Sequence, residues 1–350
     1  MSTNYRKETE NRQLEKIDDM LQRLPGYVTS YIHHIQFTTT PLTRLGYLTD
    51  IITFFEYVIE AAPNNYGSLL DIEPQLLEDL PLDFINSYLG YLSHYEKNGV
   101  TYSNNRASIR RKLSSLRNLY AFLFANDYIK KDIMPKIKMP KVEKKDIIRL
   151  DINESMSLIN TVENGRGNMT NKQRQYYNKF SLRDITIINI LLGTGIRVSE
   201  LVGLDVSDVN EEHFSLKIIR KGNKEDVVFY SDDIATIIAD YLEYRKTLIP
   251  VSGSENALFL SSRLSRMCVR SVQMLVKKYS NRTNIILSDK ITPHKLRATY
   301  GTNLYESTGD LYLVADVLGH SSVETTRKHY ADLTDKRKYT KRNAVSYHSK

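Results

Sequence analysis

Residues 291–330 concentrate side chains that can act on a phosphate group. His294 and Arg297 lie three positions apart, so in a helix they share one face. His320 and Tyr330 follow in the same stretch. Guanidinium and imidazole groups bind phosphate oxygens, and a tyrosine hydroxyl (ordinary pKa about 10) becomes nucleophilic when its proton is removed or its target is activated. The stretch therefore predicts chemistry at phosphorus, with Tyr330 as the candidate nucleophile.

Two more cations lie upstream, in positions that core packing does not explain. Arg197 follows Gly193 and Gly195 and is predicted in the first turn of a new helix, where a positive charge opposes the helix dipole. Lys221 lies at the predicted tip of a β-hairpin, directly before the turn glycine, and this place favours it over Lys224. A lysine at a hairpin tip is usually only solvated, and this is the simpler interpretation of Lys221, whereas the position of Arg197 suggests a function.

Three short helices are predicted to position the residues of the 291–330 stretch. Thr292-Pro293 is typical of a helix start, with a hydroxyl cap and a proline in the first turn. A second helix is predicted after Gly309-Asp310, and Gly319 ends it just before the second histidine. Ser321 and Glu324 form a capping-box pattern for a third helix, which carries the candidate nucleophile.

The chain from residue 151 onward has a mixed pattern. The polar stretch 164–179 predicts a surface loop, and the apolar stretch 182–192 predicts a helix at the centre of a core. Alternating residues in 214–230, with Gly-Asn turn chemistry, predict a β-hairpin. Two further helices are predicted at 233–246 and 265–279.

The first third of the chain has helical periodicity only. Apolar residues recur at helical spacing in 1–24, 41–61 and 81–97, and Ser103 is a plausible start of a fourth helix. No segment there predicts a strand. We therefore expect a helical bundle.

The fourth helix carries a row of arginines beside its apolar face. Arg106, Arg110 and Arg117 fall within about 40° of one another on a helical wheel. Such a row can hold the phosphates of DNA without reading its sequence, although a merely solvated face has the same pattern.

The length of the chain and the distribution of its charges predict two domains joined by a connecting segment. We predict a helical DNA-binding domain over 1–130, an extended basic linker over 131–150, a second domain over 151–335 and a basic tail over 336–350. The linker prediction depends on Pro135 and Pro140 and on the excess of lysines around them.

Composition excludes several classes of protein. The net charge of +8 favours a polyanionic partner. The single cysteine, Cys268, excludes an internal disulfide and fits a reducing compartment, and no apolar run predicts a membrane span, so we expect a cytoplasmic protein. No group of acidic, histidine or cysteine residues has metal-ligand spacing, so we expect neither a metal nor a cofactor.

Six of these residues together resemble the signature of the tyrosine recombinase family. They occur in the family's chain order: Arg197 in TGIRVSEL, Lys221 in RKGNK, His294 and Arg297 in HKLR, His320 in LGH, and Tyr330. The segments LPGYVTSYI and FFEYVIE are similar to the single-protein Xer recombinases. Ala298 departs from many relatives, which carry a second histidine there, but it is not part of the catalytic set.

The resemblance implies a mainly α fold with a small β-sheet, made of a helical core-binding (SAM-like) domain and a mixed α+β catalytic domain. It implies a site-specific recombinase that cuts and rejoins double-stranded DNA through a 3′-phosphotyrosyl intermediate, without metal or ATP, as a homotetramer of two dimers on paired sites. Arg197, Arg297 and His320 would bind the nonbridging oxygens, and Lys221 would protonate the leaving 5′ oxygen. His294 would accept the tyrosine proton or hold the phosphate.

Several functions fit this signature. Resolution of chromosome dimers by a Xer-like enzyme is the first, and the integrase or excisionase of a mobile element is the alternative. A type IB topoisomerase-like enzyme, which has related residues but no site preference, is more distant. A non-catalytic DNA-binding protein is also more distant, because the whole six-residue set is present. The sequence identifies no accessory protein.

Overall fold

The computed structural model divides the chain into two compact units, Asn4–Lys145 and Asp146–Lys350, the latter together with the first three residues. The structure describes residues 3–61, 67–97, 99–142, 148–165, 170–283, 285, 288–320, 322–324 and 326–327, with the backbone alone for residues 3 and 4. Ser321, Tyr330 and the predicted tail 336–350 lie outside these described residues.

The first unit consists of helices whose apolar faces meet in one core. Ile51 and Phe55 from the third helix and Leu113 and Leu116 from the sixth are fully buried there. The helix predicted at 41–61 is confirmed, whereas the second helix was not predicted. The first helix ends at Leu21, and Pro25 is the N-cap residue of the second. The described helices are α1 (Thr3–Leu21), α2 (Gly26–His34), α3 (Pro41–Ala61), α4 (Pro74–Asp79), α5 (Leu82–Ser93) and α6 (Arg106–Ala125).

The prediction of an all-helical first domain is wrong at one place, where a β-hairpin joins α5 to α6. Strands β1 (His94–Lys97) and β2 (Val100–Ser103) pair antiparallel. Tyr95 lies opposite Tyr102 with their rings 5.2 Å apart, and Gly99 has a positive φ of 71°. Cross-strand aromatic contact and a left-handed glycine favour the hairpin over continuation of the predicted 81–97 helix.

Helix α6 begins at a different cap from the predicted one. The Asn105 side chain, and not Ser103, accepts a hydrogen bond of 3.0 Å from the Ser108 N–H. One turn further, α6 binds the buried carboxylate of Asp50 on α3. Asp50 accepts two hydrogen bonds from the Arg111 guanidinium, at 2.6 and 2.7 Å, and others from its neighbours Lys112 and Ser115.

The predicted linker is not an extended tether along its whole length. Ile133, Met134 and Ile137 are buried in the core of the first unit, and Met134–Lys136 forms a turn of 3₁₀ helix. The prediction of an extended segment is therefore wrong for residues 133–137, because three apolar side chains of this turn pack into the helical core.

The second unit packs its helices around α8, which has 24 residues. The predicted loop 164–179 is wrong from residue 171 onward, because Thr170 and Gln173 form a capping box that starts α8 early. Buried residues such as Ile187 and Leu191 face α7, α10 and α12. The described helices are α7 (Ile152–Asn164), α8 (Asn171–Thr194), α9 (Val198–Gly203), α10 (Asp232–Lys246), α11 (Val269–Ser280), α12 (Pro293–Thr308) and α13 (Leu311–Val317).

A small antiparallel sheet lies between α9 and α10 in the chain. Its strands are β3 (Val209–Asn210), β4 (Ser215–Ile219) and β5 (Glu225–Phe229), in that order across the sheet. Leu216 and Ile218 of β4 are buried, and so is Val228, which pairs with Leu216. The predicted hairpin is confirmed, and with it the mainly α fold with a small β component.

Residues 149 and 150, near the beginning of the second unit, are bound to α12 by a hydrogen bond and an ion pair. The Leu150 N–H donates a hydrogen bond of 2.9 Å to the Thr299 hydroxyl, and Leu150 is itself buried. Arg149 forms an ion pair of 3.8 Å with Glu306 further along the same helix. Within the described ranges, no helix combines the length and the apolar character that a membrane span requires.

The buried Asp50 network predicts a stability effect. Asp50→Ala removes a carboxylate with no exposed surface, so that Lys112, which is also buried, loses its counter-charge. We expect the unfolding free energy of the first unit to fall by about 3 kcal/mol, as when one partner of a buried pair is removed. Denaturant unfolding, with hydrogen exchange resolved to α3 and α6, measures the change.

Arg110→Ala is the matched control, because Arg110 is an exposed cation on the same helix. We expect its effect to stay within about 0.5 kcal/mol. Equal effects of the two substitutions would contradict a stabilising role for the Asp50 network.

Candidate active site

Arg197 is fixed by a buried carboxylate one turn further along the chain. Gly195 ends α8 with a φ of 63°, and Arg197 then serves as the N-cap residue of α9. Glu200 accepts a hydrogen bond of 2.7 Å from the Arg197 N–H and one of 2.8 Å from its guanidinium. Arg197 was predicted in the first turn of this helix, and it is instead the N-cap residue, one position before that turn. Glu200 offsets the conflict between the arginine and the helix dipole.

Arg297 links the end of α8 to the end of α13. Arg297 is only 5% exposed, and its guanidinium donates to the Gly195 carbonyl at 2.6 Å and to the Leu318 carbonyl. The helix start predicted at Thr292-Pro293 is confirmed by α12, although the Thr292 side chain makes no capping hydrogen bond. His294 lies on the exposed first turn of this helix, three positions before Arg297.

His320 follows the sharp turn that ends α13. Gly319 adopts a φ of 57°, and the His320 N–H donates to the Ala315 carbonyl at 2.9 Å. The His320 Nδ1 lies 2.7 Å from the Thr326 hydroxyl, and this contact fixes the orientation of the ring. Arg327 is the last residue that the structure describes, so the predicted nucleophile Tyr330 has no described position.

One turn brings the predicted residues together. The Arg197 guanidinium donates to the Gly319 carbonyl at 3.0 Å, and Arg297 donates to the preceding carbonyl of Leu318. His320 is the next residue. The structure therefore brings Arg197, Arg297 and His320 together at residues 318–320, and their role in phosphate chemistry stays a prediction.

Lys221 is exposed at the tip of the β4–β5 hairpin. The Arg220 N–H donates to the Lys224 carbonyl at 2.8 Å and closes the turn, in which Gly222 and Asn223 both have positive φ. Lys224 is exposed as well, so exposure does not separate the two lysines.

Sequence reasoning missed Arg220, the neighbour of Lys221. The Arg220 side chain is 8% exposed and donates to the Val317 carbonyl at 2.7 Å, in the same region of α13 that the other arginines contact. Strand alternation could have found it, since residue 220, directly after β4, continues the buried alternation of residues 216 and 218.

Tyr300 lies on α12 one turn after Arg297, and it packs against Gly195. A Cβ atom on Gly195 would lie 2.4 Å from the Tyr300 ring, so the glycine is required by packing and by its φ. Burial raises the pKa of the Tyr300 phenol above its usual value. This tyrosine therefore stays protonated and serves packing.

The arginine row on α6 separates into two kinds. Arg106 and Arg110 are exposed, whereas Arg117 is half-buried and donates to the Ile137 carbonyl, with its Nε buried and unpartnered. Arg117 thus holds the linker segment against the core. Arg106 and Arg110 are the exposed members of the row, and their contact with DNA stays a prediction.

In the part of the chain that the structure describes, no group of three or more histidine, cysteine, aspartate or glutamate side chains could hold a metal ion.

Known proteins similar to this chain agree with one another. Residues 149–337 match the profile described as the Phage integrase family. A tyrosine recombinase XerS of Streptococcus mutans is 30% identical, over 93% of this chain and 97% of that protein. A tyrosine recombinase XerC of Caldanaerobacter subterraneus is 31% identical, over 88% of this chain and 83% of that protein.

Two solved structures share the fold. A Tn1549 transposon integrase in complex with transposon right end DNA aligns with a TM-score of 0.64 at 19% identity, and the alignment covers 91% of this chain and 99% of that one. A XerH recombinase bound to a palindromic difH substrate aligns with a TM-score of 0.61 at 19% identity, and the alignment covers 87% of this chain and 80% of that one.

Glu200 generates a prediction about this cluster. Glu200→Gln keeps the size of the side chain but places an amide between the Arg197 and Arg220 guanidinium groups, in a site where the carboxylate is 3% exposed. We expect the unfolding free energy of the second unit to fall by about 2 kcal/mol, the range for a lost hydrogen bond to a charged group. Denaturant unfolding measures it.

Glu243→Gln provides the comparison, because Glu243 forms an ion pair with Lys246 while 74% exposed. We expect almost no change there. If Glu200→Gln were as mild, the carboxylate would not be what holds the arginines.

Proposed function

The chain belongs to the phage integrase family, and on that basis we propose that it is a site-specific tyrosine recombinase of the Xer type. Such an enzyme cuts DNA strands and rejoins them with new partners. The observation that carries the proposal is the convergence of Arg197, Arg297 and His320 on one turn, at the end of α13.

In the proposed reaction, the Tyr330 oxygen attacks the scissile phosphorus. The bond from phosphorus to the 5′ oxygen breaks, the 3′ phosphate stays on the tyrosine, and Lys221 gives a proton to the departing 5′ oxygen. His294 accepts the tyrosine proton or binds the phosphate, and both roles are compatible with its exposed place on α12. The phosphotyrosyl bond conserves the energy of the phosphodiester, so a 5′ hydroxyl can reverse the step without ATP.

The arginines stabilise charge that develops on the phosphate. Each guanidinium carries five N–H donors in a rigid fork that matches two oxygens. Arg197 has the more accessible fork, with its side chain 35% exposed. Preorganised donors of this kind contribute about 10²-fold to 10³-fold each in enzymes that stabilise an oxyanion.

DNA binding falls to the first unit as well as to the catalytic cluster. Arg106 and Arg110 are exposed on α6, where they can contact phosphates and supply affinity without sequence readout. Two sites must be held together for strands to be exchanged, so we propose a homotetramer of two dimers on paired double-stranded sites.

Resolution of chromosome dimers is the role that the relatives favour. The XerS protein of Streptococcus mutans aligns over 97% of its length. Integration or excision of a mobile element is the second candidate, and the fold shared with the Tn1549 integrase favours it. Assays on paired sites from the chromosome terminus and from element ends distinguish the two, while relaxation of any supercoiled plasmid would indicate a topoisomerase.

The nucleophile is tested with a nicked suicide substrate, which traps the covalent intermediate. Tyr330→Phe removes the attacking oxygen, so we expect complete loss of the covalent protein–DNA adduct with DNA binding unchanged. Denaturing gel electrophoresis of the adduct is the measurement. Tyr339→Phe is the control and should form the adduct normally. An adduct in Tyr330→Phe would show that another residue attacks.

The proposed phosphate contact of α6 is tested through salt dependence. Arg110→Ala should weaken binding to all DNA sequences alike and lower the slope of log affinity against log salt by about one, because one counterion fewer is released. Arg23→Ala, an exposed arginine after α1, should leave that slope unchanged. Equal slopes for Arg110→Ala and the unsubstituted protein would remove Arg110 from the DNA contacts.

A further inference from the structure

Arg220 is a buried cation beside the proposed general acid. It follows directly after β4, one residue before Lys221, and its side chain is 8% exposed. Burying a guanidinium is expensive unless every part of it is bound, so its partners indicate what it holds.

The partners of Arg220 lie on three separate elements. The Nε donates to Asp226 across the hairpin at 2.8 Å, and an Nη donates to the Val317 carbonyl at 2.7 Å. The other Nη is 3.4 Å from both the Glu200 carboxylate and the Leu318 carbonyl. One planar group thus joins the turn end of the hairpin, the first turn of α9 and the end of α13.

Two of these partners are shared with the arginines of the proposed site. Glu200 also holds Arg197, and the Leu318 carbonyl also accepts from Arg297. Arg220 therefore contacts the same anchors as both phosphate-binding arginines.

Gly319 supplies independent support for the tight fit. A Cβ atom on this glycine would lie 2.8 Å from the Arg220 Nε and 2.9 Å from its Cζ. The turn that presents His320 therefore admits the guanidinium only because residue 319 has no side chain.

We propose that Arg220 is a positioning residue, which fixes the hairpin that carries Lys221 to the turn that presents His320. The inference rests on the proposed role of Lys221 as general acid. Arg220 contacts no DNA in this scheme. It holds the proton donor at a constant distance from the groups that bind the phosphate, and a displacement of about 1 Å between such groups can cost about 10²-fold in rate.

The test compares two leaving groups at the scissile phosphate. One suicide substrate carries the natural 5′ oxygen, and the other carries a 5′ sulfur in its place. A thiol has a pKa of about 8.5, so the sulfur departs as thiolate without a proton, whereas the oxygen needs one. Single-turnover cleavage at saturating protein measures both, and DNA affinity is measured in parallel.

We expect Arg220→Met to cleave the oxygen substrate about 10²-fold more slowly at unchanged DNA affinity, and to recover most of that loss on the sulfur substrate. Arg220→Lys keeps the charge without the fork, so its loss should be smaller but show the same recovery.

Arg245→Met is the matched control. Arg245 is a buried arginine that donates to the carbonyls of Ala257 and Glu255 in another loop of the same unit. The Arg245→Met substitution should lower the stability of the unit and leave the cleavage rates of both substrates unchanged. If Arg220→Met does not fold, Asp226→Asn weakens only the Nε contact and is tested on the same two substrates.

The outcomes separate the two levels of the proposal. Suppose that Lys221→Ala recovers its cleavage rate on the sulfur substrate. Equal losses of rate on the oxygen and sulfur substrates for Arg220→Met, or no loss on either, would then overturn the positioning role of Arg220. If Lys221→Ala shows no recovery, the general-acid role of Lys221 fails and the inference fails with it. A Tyr330-dependent adduct would then still support the recombinase itself.

Discussion

The carbonyl groups at the end of α13 are the feature on which the proposed site depends. The last carbonyls of a helix lack partners within it and carry the negative end of its dipole. Here the carbonyls of Val317, Leu318 and Gly319 accept hydrogen bonds from Arg220, Arg297 and Arg197. Three cations that would otherwise repel one another are held together by one peptide turn.

Glu200 completes this arrangement with the formal negative charge that the carbonyls lack. Its carboxylate bonds both Arg197 and Arg220. The cluster remains rich in positive charge, which suits a substrate that arrives with its own negative charges. A site designed for stability alone would have used apolar side chains here.

Much of the second unit could be predicted because local signals agree with the fold. The proline at the start of α12, Gly319 at the end of α13 and the Gly-Asn hairpin are decided by the backbone within a few residues. The types and order of the proposed catalytic residues are equally local. The partners are not local, since the contact of Arg220 with Val317 spans 97 residues.

The errors in the first unit have the same cause. Arg117 looks like Arg110 on a helical wheel, yet its guanidinium binds Ile137, which joins the core 20 residues later. The hairpin between α5 and α6 was missed because its stability depends on the Tyr95–Tyr102 contact across strands. Periodicity describes one element at a time, and these features depend on two.

The hydrogen bond between Leu150 and Thr299 gives the second unit a mechanical property. The chain enters this unit through residues 148–150, and it is fastened to α12 two residues after Arg297. Because Arg149 also pairs with Glu306, the helix that carries both His294 and Arg297 is held at two of its turns, which restrains its rotation within this unit.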